Sequence, residues 1–352
     1  MNTEPIKLTS FSHGAGCGCK IAPKVLEEIL HTNLVLPDNK NLLVGNHSND
    51  DAAVYDLGNG TALISTTDFF TPIVDDAHAF GKIASANAIS DVYAMGGKPL
   101  MAIAILGWPV NTIPAALAAE VLEGARSICA EAGIPLAGGH SIDSTEPIFG
   151  LAVTGITPIA NLKKNNTAKL GDVLFVTKPI GVGILATAQK RDALEPQDLA
   201  PFIEQLTTLN KIGEILGGIP EVHALTDITG FGLLGHLIEM AEGSGLSAHI
   251  NYSKIKMIEA AKKYFANRMV PDATYRNWNC YSTKTSFDPG VNVMEAFSML
   301  PDPQTNGGLL VAVDPTAVDI IKDVFTKNGL EAFIEPIGVL EAAGEKVVVV
   351  KN

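Results

Sequence analysis

Apolar and polar positions alternate along the chain in segments that predict a mixture of short helices and strands. Pro23–Leu30 has a proline at a first helical position and apolar residues on one face, which predicts a short helix. Residues 80–95 and 114–133 are alanine-rich and end at glycine, as helices commonly do. Residues 99–106 and 148–156 are apolar runs that predict buried strands.

Turn residues separate the remaining predicted elements. Apolar stretches at 42–44 and 61–65 flank GNHSNDDAAVYDLGNG, which predicts two strands that feed loops. In the second half, GDVLFVTKPIGVG predicts a strand and a glycine turn, LTDITGFGLLGHLIEM a loop that runs into a helix, and PDPQTNGGLLVAV a glycine turn before a strand. Because helices and strands do not alternate strictly, we predict an α+β fold and not a doubly wound sheet.

The polar, lysine-rich stretch ANLKKNNTAKLG at 160–171 marks the best candidate for a domain boundary. A chain of 352 residues is long enough for two domains. We predict a mobile glycine-rich segment with a short helix at 1–40, an N-terminal α+β domain at 41–160 and a C-terminal α+β domain at 161–352.

Composition and charge narrow the class of protein. A hydrophobic content of 47% provides a substantial core. The net charge of −13 argues against nucleic acid or an anionic membrane as the main partner, although an acidic protein can bind an anionic ligand through a metal ion. The longest apolar run, residues 99–110, is too short to cross a bilayer, and the N-terminus has no apolar secretion signal. We therefore expect a cytoplasmic protein.

Two of the four cysteines, Cys17 and Cys19, lie in the glycine-rich stretch HGAGCGCK. A disulfide scaffold would be shorter and denser in cysteine, and a zinc site commonly has two paired motifs where this chain has one. Free thiols in a reducing compartment are the better interpretation, and Lys20 beside them would lower a thiol pKa. The alternative is a disordered terminus in which the two cysteines are incidental.

Aspartates recur where the predicted elements end. They are Asp50 and Asp51 in the loop HSNDDAAV, Asp68 after the strand ALISTT, Asp91 one helical turn after Asn87, and Asp227 before the turn TGFG. Residues one turn apart lie on the same face of a helix. Because Mg²⁺ prefers oxygen ligands and commonly links carboxylates to phosphates, the pattern predicts a metal and nucleotide site.

Each of these signals also has a structural interpretation. Asp50 and Asp51 are typical of a solvated turn or an N-cap, and Asp91 of a local pair. GGHS at 138–141 predicts a glycine turn, which is a weak phosphate-binding signal and equally a sharp connection. His140 and His236 are more typical of structural than of catalytic histidines, and TNGG at 305–308 predicts a turn without a catalytic role. A P-loop and the protein-kinase signatures are absent.

Taken together, the motifs resemble those of selenophosphate synthetase, also called selenide, water dikinase, over nearly the whole chain. The motifs, in order, are HGAGCGCKIAPKVL, NDDAAVY, STTDFFTPIVDD, ANAISDVYAMGGKPLMAIAILGWP, GGHSI, LTDITGFGLLGH and PDPQTNGGLL. Looser forms of four of them occur in a wider superfamily with aminoimidazole ribonucleotide synthetase, thiamine-monophosphate kinase and a hydrogenase maturation factor. GCGCK is the motif that distinguishes the selenium enzyme.

The resemblance implies the activity and the architecture. It implies that ATP, selenide and water yield selenophosphate, AMP and phosphate with Mg²⁺, supplying activated selenium for selenocysteine and selenium-modified tRNA. It also implies a homodimer formed through the sheet of the N-terminal domain, with ATP and metal bound by residues 41–160. A selenium-delivery protein is a further possible partner.

The resemblance also implies roles for particular residues. Cys17 takes the catalytic position, and Lys20 matches an essential lysine that also contacts the nucleotide. The predicted metal ligands are Asp51, Asp91 and Asp227. The predicted nucleotide-lining residues are Ser48, Asn49, Asp50, Asp68, Asp91, Gly139, His140 and Ser141.

In this interpretation the glycine-rich segment is a lid over bound nucleotide. Lys20 would follow the γ-phosphoryl group, and a Cys17 thiolate would receive selenium or hold it in place. Two alternatives stay open: another ATP-using activity of the superfamily on a small amine, amide or phosphate, and a non-catalytic protein that binds nucleotide or metal and passes selenium or a soft metal to a partner.

Overall fold

Two β-sheets, one in each half of the chain, organise the fold. The computed structural model describes residues 6–21, 23–32, 39–45 and 50–352. Within those residues the first sheet has six strands, which are Leu42–Val44 (β1), Ala53–Asp56 (β2), Thr61–Phe70 (β3), Lys98–Trp108 (β4), Leu136–Asp143 (β5) and Ile148–Pro158 (β6). They lie in the order β1-β2-β3-β6-β4-β5, and only the pair β4 and β5 is parallel.

The second sheet is built from the other half of the chain. Its strands are Val173–Val176 (β7), Val222–Asp227 (β8), Leu246–Asn251 (β9), Thr285–Phe287 (β10), Leu309–Val313 (β11), Gly338–Ala342 (β12) and Val348–Lys351 (β13). Their order is β10-β13-β9-β12-β7-β11-β8, with β10, β13 and β9 parallel and the other neighbours antiparallel. Two mixed sheets with helices packed beside them confirm the predicted α+β class.

The helices connect and cover these strands. They are Pro23–Leu30 (α1), Ala77–Ala94 (α2), Ala115–Glu131 (α3), Val182–Lys190 (α4), Pro196–Thr207 (α5), Ile212–Gly217 (α6), Gly232–Gly243 (α7), Glu259–Ala266 (α8), Asp272–Tyr281 (α9), Val293–Met299 (α10) and Val318–Lys327 (α11). The predicted helices at 23–30, 80–95 and 114–133 are therefore confirmed within three residues at each end. None of the helices in the described ranges is both long and apolar enough to span a bilayer.

Helix α2 is the central element of the molecule. It packs on α3 and on strands β3, β4 and β6 of the first sheet, and also on α5, α6 and β8 from the other half. Sixteen of its eighteen residues are buried, including the polar Asn87 and Asp91. Its alanine-rich sequence suits this position because small side chains permit close packing on every face. A helix shared by both halves can thus present polar groups to a site between them.

Three predictions about local structure are wrong. GGHS is not a turn but the middle of edge strand β5, where a Cβ at Gly139 would lie 2.3 Å from the carbonyl oxygen of Ala104. Asp68 does not follow a strand but lies inside β3. The segment from Leu225 to Asp227, predicted as loop, is the end of strand β8. Strand β2 was also not predicted.

One face of the first sheet is exposed and apolar. Helix α2 covers the other face, while large side chains on β3, β4 and β5 remain 41–59% exposed. These side chains are Phe69, Leu100, Met101, Ile103 and Ile142. A contiguous apolar patch on a sheet is typical of an association surface.

Candidate active site

Four carboxylates from four separate elements converge beside helix α2. Asp51 lies in the loop before β2, Asp68 in β3, Asp91 in α2 and Asp227 at the end of β8. The hydroxyl of Thr66 donates to Asp91 Oδ2 at 2.5 Å and lies 3.4 Å from the backbone carbonyl of Asp51.

A second hydroxyl extends this chain of contacts to the other half. Thr226, next to Asp227 in β8, donates to Asp51 Oδ1 at 2.9 Å. The solvated-turn interpretation of Asp51 is therefore wrong. The hydrogen bonds of Thr66 and Thr226 place Asp91, Asp51 and Asp227 in one network that joins the two halves.

Burial and mutual repulsion dominate the electrostatics of this network. The pKa values of Asp51 and Asp91 lie well above the usual range, first because both groups are buried and then because Asp227 repels them. The pKa of Asp227 is also raised by burial. Three neighbouring carboxyl groups with raised pKa values mean that their ionised forms are unfavourable together in the absence of a cation.

The network has the chemistry that a divalent cation needs. Asp51 Oδ2 and Asp227 Oδ2 are buried and accept no hydrogen bond from any described residue. Buried carboxylate oxygens without a donor fit a hard cation that takes oxygen ligands. In the described part of the chain, no three acidic, histidine or cysteine side chains stand close enough together to enclose an ion directly. The predicted ligand set therefore requires these side chains to draw together when a cation binds.

Asp50 lies at the rim of the network. Its carboxylate accepts from the backbone N–H of Asn165 at 3.3 Å, and burial raises the pKa of Asp50 to about 6. This contact ties the loop before β2 to the segment that leads into the second half. Ser48 and Asn49, predicted to line the nucleotide, lie outside the described residues.

Cys17 is buried against the same helix. Its side chain is 1% exposed, its Sγ–H donates to Asn87 Oδ1 at 3.3 Å, and its backbone N–H donates to Thr305 Oγ1 at 2.9 Å. Burial, followed by the negative charge of Asp68, holds the Cys17 pKa well above its ordinary value, and Lys20 opposes this only in part. The expected low-pKa thiolate is therefore wrong for this conformation. The thiol is protonated here.

Lys20 and Asn87 connect the cysteine segment to Asp68. Lys20 Nζ lies 3.6 Å from Asp68 Oδ2, and this carboxylate is the main cause of the raised Lys20 pKa. Asn87 donates to the same oxygen at 2.6 Å and accepts from the backbone N–H of Asn306 at 2.7 Å. The side chain of Lys20 is 38% exposed and places its positive charge next to Asp68.

Several groups hold the glycine-rich segment in place. Lys190 donates to the carbonyl oxygens of Ser12 and Gly14 at 2.8 Å each. Gly16 has a φ of +51°, and a Cβ there would lie 2.5 Å from Thr305 Oγ1, so only glycine fits without strain. Arg276 donates to the carbonyl oxygen of Gly18 at 3.0 Å. The segment is therefore packed onto the site, contrary to the disordered-terminus alternative.

The predicted residues Gly139, His140 and Ser141 are not brought to the aspartates within one chain. They lie on edge strand β5, exposed, in a row in which Asp68 pairs with Leu151, Leu151 with Ala104, and Ala104 with Gly139. Three strand spacings separate Asp68 from Gly139, which is roughly 14 Å along the sheet.

Other residues of the site have no role in the sequence prediction. Asn87 contacts Cys17, Asp68 and Asn306, and Thr305 anchors Cys17. The only sequence signal for Asn87 is its position one turn before Asp91. His236 matches its structural prediction, since its Nε2 accepts from the backbone N–H of Thr229 at 3.1 Å.

The fold has known counterparts. Residues 49–157 match the family model of the AIR synthase related protein N-terminal domain, and residues 169–351 match that of its C-terminal domain. Thiamine monophosphate kinase from Aquifex aeolicus superposes with a TM-score of 0.63 at 19% identity, covering 93% of this chain and 94% of that one. Hydrogenase maturation protein HypE in complex with ATP gives 0.61 at 19% identity, covering 98% and 94%. At this identity the likeness shows the fold alone.

Relatives at higher identity share the chain's whole length. A selenide, water dikinase of Salmonella typhi is 53% identical over 350 residues, which is 99% of each chain. A selenide, water dikinase of Aeromonas hydrophila is 53% identical over 341 residues, or 96% of each. These findings confirm the resemblance carried by GCGCK and the six other motifs. The chain belongs to the selenide, water dikinase family, within the AIR synthase related proteins.

Proposed function

We propose that the chain catalyses the reaction of ATP, selenide and water to selenophosphate, AMP and phosphate. The observation that carries this proposal is full-length identity of 53% to relatives named selenide, water dikinase. The contacts of Cys17 with Asn87 and of Lys20 with Asp68 support it, because the GCGCK motif and the acidic motifs then serve one site.

Magnesium is the cofactor that this site fits. Asp51, Asp91 and Asp227 would hold it, since two of their oxygens are buried without a hydrogen-bond donor among the described residues. When bound, magnesium supplies the positive charge that lets an acidic site accept a polyphosphate. A bound cation would stabilise the ionised forms of carboxylates whose pKa values are raised by burial and by mutual repulsion.

In the first chemical step hydroselenide attacks the γ-phosphorus of ATP. The Se–P bond forms as the bond from phosphorus to the bridging oxygen breaks, and ADP leaves. Water then cleaves the β-phosphoryl group of ADP to give AMP and phosphate. Lys20, held near Asp68, would stabilise the charge on the transferred phosphoryl oxygens.

Cys17 is proposed to position selenium before the attack. Its thiol is protonated and buried in the closed segment, so in this conformation it acts through the contacts of its polarisable sulfur and not as a nucleophile. Opening of the segment would return the thiol toward its ordinary pKa and expose it to a delivery protein. The segment also excludes water from the phosphoryl group, which limits wasteful ATP hydrolysis.

A homodimer formed through the first sheet is part of the proposal. The exposed apolar face formed by Phe69, Leu100, Met101, Ile103 and Ile142 supplies the surface. Such a dimer would bring Gly139, His140 and Ser141 of one protomer to the nucleotide of the other. These residues could then line a nucleotide site although they lie far from the aspartates of their own chain. The cytoplasmic location stays a prediction.

Anaerobic turnover followed by phosphorus NMR tests the function. We expect ATP to yield AMP, phosphate and selenophosphate only when both selenide and Mg²⁺ are present. Cys17→Ser should abolish selenophosphate formation while nucleotide still binds, whereas Cys280→Ser, a partly buried cysteine outside the site, should remain active. If ADP is the final product, or if selenide has no effect, the proposed function is wrong.

A further inference from the structure

Two neighbouring cavities lie around the GCGC segment. The larger one has a volume of about 820 Å³ and is lined by the segment together with parts of α4 and α9. Cys19 faces this larger cavity, whereas Cys17 does not. Cys17 and Lys20 instead line a second cavity of about 10 Å³. We call these the outer and the inner cavity.

Three residues line both cavities. Gly18, Ala273 and Arg276 line both of them, and of the three only Arg276 is charged. Its Nη2 donates to the carbonyl oxygen of Gly18 at 3.0 Å. A guanidinium has five N–H donors, so this contact leaves donors for a ligand. Arg276 therefore presents a positive charge to both the outer cavity and the pocket lined by Cys17 and Lys20.

The size of the inner cavity restricts what it can hold. About 10 Å³ of accessible space is roughly the room for one water-sized particle. A ligand with one heavy atom needs the least widening of this space, whereas a thiol that carries a carbon chain would need much more. The walls include Cys17 and two cations, Lys20 and Arg276, a set that suits a small monoanion.

The outer cavity attracts such an anion despite the acidity of the chain. A net charge of −13 repels anions in general. Lys190, Arg191 and Arg276 face the outer cavity together with two carboxylates, Glu146 and Asp272, and Glu146 is already paired with His13. The approach to Arg276 therefore has more positive charge than the surface as a whole.

We propose that hydroselenide reaches the reaction through the outer cavity and waits in the inner cavity, with Arg276 as its recognition residue. This inference rests on the proposed function and adds the route and the binding site of the substrate anion. HSe⁻ is a monoanion with one heavy atom, and because selenium is larger than the oxygen of water, the inner cavity must widen to hold it. In that position it lies beside Cys17 and Lys20, and Lys20 leads toward Asp68 and the phosphoryl site.

Steady-state kinetics of Arg276→Met tests the recognition role. We expect KM for selenide to rise at least roughly 10-fold and KM for ATP to stay within about 2-fold. The reason is that the lost charge lines the cavity proposed for selenide and not the site proposed for ATP. Arg276→Lys keeps the charge and should recover most of the affinity. Arg126→Met is the matched control, since Arg126 is an exposed arginine of α3 that pairs with Glu123 and lines neither cavity. An unchanged KM for selenide in Arg276→Met, or equal increases for selenide and ATP, overturns the inference.

A direct probe is bromide, a monoatomic anion whose anomalous scattering locates it. Crystals of the wild type soaked in bromide should show a peak in the inner cavity, and those of Arg276→Met should not. Absence of the peak in the wild type overturns the site.

The two proposals fail separately. If ATP and selenide give no AMP, the proposed function is wrong. If AMP forms but Arg276→Met leaves KM for selenide unchanged, only the role of Arg276 is wrong.

Discussion

Lys190 holds the glycine-rich segment over the site, and its replacement by methionine should open the segment. The ammonium group donates to the carbonyl oxygens of Ser12 and Gly14 at 2.8 Å each. Methionine keeps much of the length and apolar stem of lysine but cannot donate. The loss should therefore act on closure of the segment and leave helix α4 intact.

The magnitude follows from these two contacts. Hydrogen bonds from a charged group contribute about 1.5–3 kcal/mol each when fully formed. Desolvation of Lys190, which also lowers its pKa, offsets a large part of this. We take about 2 kcal/mol for both contacts together, which corresponds to a roughly 30-fold increase in the open fraction of the segment.

Thiol labelling measures that fraction. Cys17 is 1% exposed and can react only when the segment opens, whereas Cys19 is exposed. With N-ethylmaleimide and peptide-resolved mass spectrometry, Lys190→Met should label Cys17 roughly 30-fold faster and Cys19 at nearly the wild-type rate. Lys262→Met, which removes a surface lysine paired with Glu259, is the control and should change neither rate.

Two results would refute this reasoning. If Cys17 of the wild type is labelled as fast as Cys19, the segment is not closed in solution. If Lys190→Met labels Cys17 at the wild-type rate, the carbonyl contacts do not hold the segment, and the anchor at Thr305 alone suffices.

Three other predictions concern the metal site, the glycine-rich segment and a buried carboxyl group. Asp51→Asn should raise the Mg²⁺ concentration for half-maximal activity at least roughly 10-fold and yet raise the melting temperature of the metal-free protein, because it removes a buried, repelled carboxylate; a drop in both would contradict the metal role. Gly16→Ala should lower kcat and speed Cys17 labelling without weakening ATP binding, since a φ of +51° costs alanine about 1–2 kcal/mol and its Cβ would clash with Thr305 Oγ1; unchanged labelling would show that the segment adapts. Burial raises the pKa of Asp302 from 3.8 to about 8, so its contribution to stability is greatest below pH 3.8 and is lost as pH rises toward 8. In thermal unfolding, Asp302→Asn should therefore lose less stability between pH 5 and pH 8 than the wild type. Parallel pH curves for the two proteins would contradict this.

Local signals locate the ends of helices α1, α2 and α3 within three residues, whereas helices α4–α6 and α8–α11 have no counterpart in the sequence prediction. Helix α2 ends one residue from its predicted end because Gly96 adopts a φ of +68°, as a helix stop requires. The helix begins at Ala77, three residues before its predicted start, because the Asp76 side chain caps it there by accepting from the N–H of Ala79. Strand β5 contains GGHS, whose glycines predict a turn but instead allow close approach to Ala104. Tertiary contact overrides the turn signal there.

The site is less predictable because it depends on contacts between distant parts of the chain. Motif resemblance indicates Asp51, Asp91 and Asp227, but not that Thr66 and Thr226 link them. Burial of Cys17 reverses the thiol pKa expected from the neighbouring lysine.

The turn at 305–308 illustrates the same limit. It reads as an ordinary turn, yet Thr305 binds the backbone of Cys17, 288 residues away in sequence. A partner so distant in sequence leaves no local pattern to find.

The central claim is that the aspartates of both halves bind ATP through magnesium beneath the closed cysteine segment. A crystal structure with Mg²⁺ and a non-hydrolysable ATP analogue tests it most directly. We predict at least one cation bound by Asp51, Asp91 and Asp227, with the terminal phosphate within reach of Lys20. An analogue bound elsewhere, or these three carboxylates apart with no cation among them, would contradict the account.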